Sequence, residues 1–343
     1  MASLKDVAEK AEVSIATVSR VINGNSHVQM DTRHKVQKAI KELNYRPSRV
    51  AQRLRSKGKE SKLIGLVLPD IENPFYVDMI RGIEATAYNQ GYSVIIGNFS
   101  QNKSRSEMYI DILKSEGVNG FIVAPVNNED PKVRELIKSG YQVTCVDRDM
   151  EGVEVDSVKI NNEEAAYGAI KHLINLGHKR IGHVGGQWDI PTTKSRLAGY
   201  KRALLESGLP IEEELIITRS SDFQNGVEAT TALLDLNRPP TAVFTGNNLL
   251  TLGALRAIHA RELKIPSDIA IVGFDDMYWS ELLNPPLTAV HQDGFEIGRR
   301  ATELLLSRLV EPNRPCIKVI LDAKLRIRKS CGAAQNGRLS TDL

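Results

Sequence analysis

No stretch of the chain approaches the roughly 18 consecutive apolar residues that span a bilayer, and the opening residues, Met1-Ala2-Ser3-Leu4-Lys5-Asp6, hold no apolar signal core. Membrane insertion and export are therefore not expected, and a cytoplasmic location is. Cysteine is scarce. Cys145, Cys316 and Cys331 are odd in number and far apart, which argues against a disulfide framework and fits a reducing compartment. Phosphate-cradling glycine motifs are missing too: Gly168, Gly185 and Gly186 form neither a G-x-G-x-x-G nor a P-loop, so a dehydrogenase or sugar kinase lacks its loop. His172, His178 and His183 spread along a helix end and the strand after it, a pattern of polar or packed histidines rather than of a metal site. The chain is expected to carry no catalytic residues, no metal and no cofactor.

What is present is an ordinary globular composition, 41% hydrophobic and 25% charged over 343 residues, with room for two or three domains. The net charge of +3 hides an asymmetry. Residues 1–60 hold 13 Lys and Arg against 6 Asp and Glu, a net of +7, and the remainder holds 32 against 36, a net of −4. A small basic segment ahead of a mildly acidic body points to nucleic acid as the partner of the segment and a different partner for the body.

In that segment Leu4, Val7, Ala8 and Ala11 follow the i, i+3, i+4, i+7 spacing of an amphipathic helix. Glu12-Val13-Ser14 is a tight connection, Ser14 is suited to N-capping, and Val18, Val21 and Ile22 continue the apolar face. Two helices joined this closely make a helix-turn-helix. Val36, Ala39, Ile40 and Leu43 supply a third helix for a small core. The second helix then presents Ile15, Ala16, Ser19 and Arg20 to base edges, with Asn23 just beyond. Arg20 suits guanine, Ile15 and Ala16 offer apolar surface, and Thr17, Ser19, Asn23 and His27 suit phosphates. From Asn44 to Ser61 a basic connector follows. Pro47 breaks the preceding helix, and Val50 and Leu54 share one face of a conditional two-turn helix.

From Leu63 onward short apolar runs alternate with amphipathic segments, the pattern of a parallel sheet with crossover helices. The pattern is written twice: Ile64-Gly65-Leu66-Val67 matches Ile181-Gly182-His183-Val184 at an offset of 117. Two α/β lobes of about 120 residues follow. Ligands of such sheets bind beyond the carboxyl ends of the strands, and there acidic, amide and aromatic residues recur: Asp70, Asp147-Arg148, Trp188, Asp222-Phe223, Asn247-Asn248 and Asp275-Asp276, with Arg196 opening a helix after the Pro191-Thr192-Thr193 loop. Helix capping competes with ligand binding for each of these positions.

Leu4-Lys5-Asp6-Val7-Ala8, Val13 through Asn23, Asn44-Tyr45-Arg46-Pro47 and Val50-Ala51-Gln52-Arg53-Leu54 resemble the lactose-repressor/galactose-repressor (LacI/GalR) family of bacterial transcription regulators, and the resemblance continues to about Lys329. It implies a homodimer on near-palindromic double-stranded operator DNA, a connecting helix in the minor groove with Leu54 as a wedge and Arg49 and Ala51 as further DNA contacts, and a cleft that binds a small-molecule effector. Carried over to this chain, the effector contacts fall on Asp147, Arg196, Phe223, Asn247 and Asp275, with Asp70, Phe75, Arg148 and Gln292 varying with the ligand. A sugar is the expected effector, or a sugar acid if Arg148, Lys194 and Arg196 act together. Regulation mainly by a protein partner, as in catabolite-control relatives, or a sugar-binding receptor without DNA binding are the alternatives. The implied fold is α/β: a helix-turn-helix headpiece over 1–46, a hinge helix and linker over 47–61, and a two-lobed body of parallel sheets with helices on both faces. Lobe 1 takes 62–160 and 292–320, lobe 2 takes 161–290 and 321–330, and residues 331–343 form a disordered tail without a heptad repeat. Two positions depart from the family's wording: Glu12 stands where Gly is usual and Gln29 where Ser or Thr caps the third helix, which leaves Asp31 or Thr32 as the expected cap.

Overall fold

The structure is a computed structural model that describes residues 2–22, 28–45 and 62–333. Asn23, His27, Arg49, Ala51 and Leu54, the connector over 47–61 and the tail beyond Ala333 lie outside the described residues. The chain divides into two compact units, residues 1–61 and 62–343.

In the first unit α1 (Leu4–Lys10), α2 (Ile15–Ile22) and α3 (Met30–Glu42) surround a core of Val7, Ala8, Ala11, Val18, Val21, Val36 and Ala39. Ser3 caps α1 in a reciprocal arrangement with Asp6. Ser14 caps α2 by accepting from the Thr17 amide at 3.1 Å. Glu12 has φ 54°, a left-handed conformation that glycine adopts freely and a Cβ opposes. The N-cap of α3 falls on Gln29 rather than on Asp31 or Thr32, and its side chain makes no capping bond; Asp31 instead lies in the first turn, where its charge favours the helix dipole.

The second unit contains two six-stranded sheets. In the first, with order β11-β5-β4-β3-β1-β2, all strands are parallel: β1 (Leu63–Leu68), β2 (Ser93–Asn98), β3 (Gly120–Val123), β4 (Gln142–Val146), β5 (Asp156–Ile160) and β11 (Lys318–Leu321). The second has order β12-β10-β9-β8-β6-β7: β6 (Ile181–Gly185), β7 (Ile216–Thr218), β8 (Ala242–Thr245), β9 (Ala270–Phe274), β10 (Thr288–His291) and β12 (Lys324–Arg326). Here the edge strand β12 runs antiparallel to β10, a departure from the all-parallel expectation. Central strands are buried throughout, as a sheet covered on both faces requires.

Eight helices cover these sheets: α4 (Pro74–Asn89), α5 (Lys103–Ser115), α6 (Pro131–Lys138), α7 (Asn162–Asn175), α8 (Pro191–Glu206), α9 (Phe223–Leu234), α10 (Asn248–Ala260) and α11 (Gly294–Val310). Three pairs pack closely, α4 with α11, α7 with α8, and α9 with α10. Glycine permits the approach: a Cβ on Gly82 would stand 2.1 Å from the Phe295 carbonyl oxygen, and one on Gly253 2.3 Å from that of Phe223. The chain passes between the sheets after β5, after β10 and after β11, so α11 packs on β4 and β5 of the first sheet. The folded body reaches further than the assigned tail boundary. Cys331 is fully buried, its Sγ 3.2 Å from His172 Nε2 and 3.2 Å from Thr288 Oγ1, so residues 331–333 belong to the body and not to a disordered tail.

A buried triad, Asp156 with Arg308 and Arg314, closes the end of the first sheet. Arg308 donates to the carboxylate at 2.6 and 2.9 Å and Arg314 at 2.6 and 3.0 Å. Both guanidinium groups hold Asp156 below the ordinary carboxylate range despite its burial. On β6, His183 is wholly buried between the rings of Tyr200 and Phe244, with neither ring nitrogen bonded.

Glu12→Gly relieves the left-handed strain and should stabilise the headpiece by about 0.5–1 kcal/mol in thermal unfolding; no gain would mean that the turn holds no strain. Burial pushes His183 down to about 3, against about 6.5 when unfolded. Because the folded value is the lower one, the stability it brings is complete above pH 6.5 and falls by about 1.4 kcal/mol per pH unit as the pH drops towards 3. Chemical denaturation at pH 7 and pH 5 should show His183→Phe losing less stability on acidification than the wild type.

Candidate functional site

Eight of the nine residues expected at the effector site come together. Asp70, Phe75, Asp147, Arg148, Arg196, Asn247, Asp275 and Gln292 line one cavity between the two sheets. Phe223 does not. It heads α9 immediately after its cap, Asp222, and is 43% exposed. Pro191, Thr192 and Thr193, read as a loop, are the first turn of α8, with Pro191 at the position where a missing N–H costs nothing. Arg196 therefore projects from the second turn of a helix and not from its mouth.

The geometry rests on strand ends. Asp147 directly follows β4 and Asp275 directly follows β9, at matching places in the two sheets. Both adopt left-handed conformations, with φ 63° and 69°, and the turn at Asp147 is closed by the Arg148 amide donating to Val146 O at 2.6 Å. Such backbone strain persists only where the surroundings impose it. Asp147 accepts from the Tyr76 hydroxyl at 2.8 Å, and Asp275 accepts from Gln292 Nε2 at 2.5 Å. Burial raises the Asp275 carboxyl above its ordinary value, with Arg196 pulling the other way, and burial likewise raises Asp70.

The two guanidinium groups are already engaged. Arg148, 2% exposed, donates to Pro125 O at 3.0 Å, Val126 O at 3.2 Å and Gln101 Oε1 at 3.2 Å, and its Nε lies 3.5 Å from Asp147. Arg196 donates from Nε to Asn162 Oδ1 at 2.7 Å and from Nη1 to the Gly246 carbonyl, and its guanidinium lies 3.7 Å over the Phe274 ring. Lys194, grouped with them in the sugar-acid expectation, does not line this cavity. Three carboxylates therefore face two arginines that have other partners, a setting for hydroxyl groups rather than for an anion.

Capping and lining prove compatible. Asn247 caps α10 by accepting from Leu250 N at 2.7 Å, donates to Ser221 O at 3.0 Å, and still lines the cavity. Asn73, not anticipated, caps α4 and also accepts from Asn248 Nδ2 at 2.8 Å. That bond joins one lobe to the other between two buried amides. Thr192, Thr193 and Ser221 also line the cavity; their only sequence signal is their position beyond strand ends. Asp276, by contrast, is taken up by Arg328 at 2.7 and 2.9 Å.

In the headpiece Ile15, Ala16 and Arg20 are exposed on α2, while Thr17 and Ser19 are half-buried. Thr17 Oγ1 lies 2.9 Å from Ser14 Oγ. Among the described residues no group of three His, Cys, Asp or Glu is placed to hold a metal ion, and no helix is long and apolar enough to cross a membrane.

Comparison with known proteins defines the class. Residues 3–48 match the family described as bacterial regulatory proteins, lacI family, and residues 61–322 match periplasmic binding proteins and sugar binding domain of LacI family. The chain belongs to the LacI family and is a DNA-binding transcription regulator, not an enzyme. It is 36% identical over 329 residues to catabolite control protein A of Priestia megaterium, covering 96% of this chain and 98% of that protein. It is 35% identical over 332 residues to the repressor CytR of Escherichia coli K12, covering 97% of each. A crystal structure of the lac repressor dimer bound to operator and the anti-inducer ONPF superposes with a TM-score of 0.81 at 29% identity, covering 97% of this chain and 99% of that one.

The bond between Asn73 and Asn248 should stabilise lobe closure by about 1 kcal/mol. Asn248→Ala is expected to enlarge the radius of gyration of the sugar-free protein in small-angle scattering; an unchanged value would remove the bond from the closure equilibrium.

Proposed function

We propose that the chain is a cytoplasmic repressor that binds near-palindromic operator DNA as a homodimer, and that a small neutral sugar in the cavity between its lobes changes its affinity for DNA. The observation that carries the effector assignment is the pair Asp147 and Asp275, held in strained left-handed turns at matching strand ends and lining one buried polar cavity. Carboxylates and amides there, Asn247 and Gln292 among them, accept from and donate to sugar hydroxyls, and Phe75 offers an apolar wall. A sugar acid is the less fitting ligand, because Arg148 and Arg196 are bonded to carbonyl and amide oxygens of the chain.

DNA contact falls to α2. Arg20 serves as the base reader, Ile15 and Ala16 as its apolar neighbours and Thr17 and Ser19 as phosphate contacts, and Asn23, His27, Arg49, Ala51 and Leu54, outside the described residues, are assigned to DNA by the family resemblance. Dimerisation is supported by β2, a sheet edge on which Ile96 is exposed, and by α5, packed on β2 with Met108 and Ile112 exposed. The two sheets meet across the cleft, so a ligand held by both favours one lobe arrangement. A switch from mostly one state to mostly the other needs a differential affinity of several kcal/mol.

The test is polarisation of a labelled duplex from the DNA flanking its own gene. Affinity should fall steeply with salt. Arg20→Ala should cost about 1–3 kcal/mol on that duplex and much less on a random one. Asp275→Asn should keep operator binding and lose the response to sugars; a full sugar response in that variant overturns the cleft assignment.

A further inference from the structure

A second, wider cavity of about 610 Å3 lies beside the first. It too is walled by both lobes, and it shares Asp147, Arg148 and Thr192 with the inner cavity, whose own volume is about 40 Å3. The two are successive compartments of one cleft. The inner one has room for a few waters, and it admits a sugar ring only as the lobes part. The outer one is wide enough for a ring as it stands.

The chemistry of the outer compartment is that of a polar, charge-balanced wall. Lys159 and Lys318 both donate to the same oxygen, Asp149 Oδ2, at 3.2 Å. Glu163 is taken up by Arg202 at 2.8 Å. Counted over the lining, Arg148, Lys159, Lys194 and Lys318 stand against Asp147, Asp149, Glu151 and Glu163, so the compartment offers no net charge to select an anion. What remains for a ligand is hydrogen bonding, from Asn128 and Ser195 among others. At its rim Lys194 sits 5.8 Å from the ring of Trp188, a residue 59% exposed. An exposed indole beside a polar wall suits the apolar face of a sugar ring.

We propose that the outer compartment is a second glycosyl subsite, so that the effector is a neutral disaccharide with one ring in the inner cavity and the other against α8. This rests on the sugar reading of the inner cavity. The shared walls then give the second ring a function: it contacts 147–152 of one lobe and 191–195 of the other, and so couples closure to ligand length.

Isothermal titration of the full chain with glucose and galactose, and with cellobiose, lactose, maltose and sucrose, tests the proposal. At least one disaccharide should bind about tenfold or more tighter than the better monosaccharide, a difference of about 1.4 kcal/mol. Ser195→Trp, which fills the outer compartment, should abolish that advantage and leave monosaccharide affinity unchanged. If Ser195→Trp does not fold, Lys194→Ala should reduce the advantage by about threefold or more. Monosaccharides binding as tightly as every disaccharide, or equal losses for both kinds in the variants, would overturn the second subsite and leave the sugar reading standing. Binding of no sugar of either kind would overturn both.

Discussion

Charge held out of water has to be partnered, and the cleft of this protein is built around that constraint. An unpaired carboxylate or guanidinium in such a place costs several kcal/mol, yet Asp147, Asp275, Arg148 and Arg196 are all almost fully buried. Each therefore has partners within the chain: Tyr76 and Arg148 for Asp147, Gln292 for Asp275, and backbone and amide oxygens for the two arginines. Arg196 is the clearest case: it ties Asn162 at the start of α7 to Gly246 beyond β8 and lies flat over Phe274 of β9. One side chain joins the ends of β8 and β9 to the head of α7. Arg148 does the same in the first lobe through Pro125, Val126 and Gln101. Because both arginines donate to oxygens of their own lobes, the inner cavity presents a ligand mainly with carboxylate and amide groups.

The two lobes repeat one another, and the repeat explains how a small ligand acts on both. An aspartate in the same strained turn ends β4 and β9, and the chain passes three times between the sheets. Asn73 and Asn248, each at the head of a helix, bond directly across the gap. Closure is thus a competition between protein contacts across the gap, this bond and that of Gln292 to Asp275 among them, and the bonds that a ligand makes to both strand ends. Small differences decide such a balance.

Much of this was legible in the sequence, for physical reasons that differ by element. Leu63–Leu68 is a continuous apolar run because both sheet faces are covered, and it begins at Leu63 as read. Lys324–Arg326 is a strand that no pattern announces: three residues, two of them charged, at an open edge. Asp147, Asn247 and Asp275 were visible because the ends of parallel strands collect ligands. Phe223, read by the same rule, stands at the head of α9 directly after its cap Asp222 and does not line the cavity. Asn73 was missed for the opposite reason, as a cap that also faces the cleft. Glu12 showed its strain only through the family resemblance, because no local pattern marks a left-handed residue. Cys331 reads as part of a polar tail, and only the pairing of His172 and Thr288 with its sulfur brings it inside.

The inner cavity selects an uncharged, hydroxyl-rich ligand because Arg148 and Arg196 are already engaged by oxygens of the chain. Titration calorimetry that compares a neutral sugar with the uronic acid of the same ring tests it most directly. The neutral sugar should bind, and the acid should bind about tenfold or more weakly, since Asp70, Asp147 and Asp275 repel it while Arg148 and Arg196 already donate to oxygens of the chain. An acid that binds more tightly than its neutral counterpart would contradict the account.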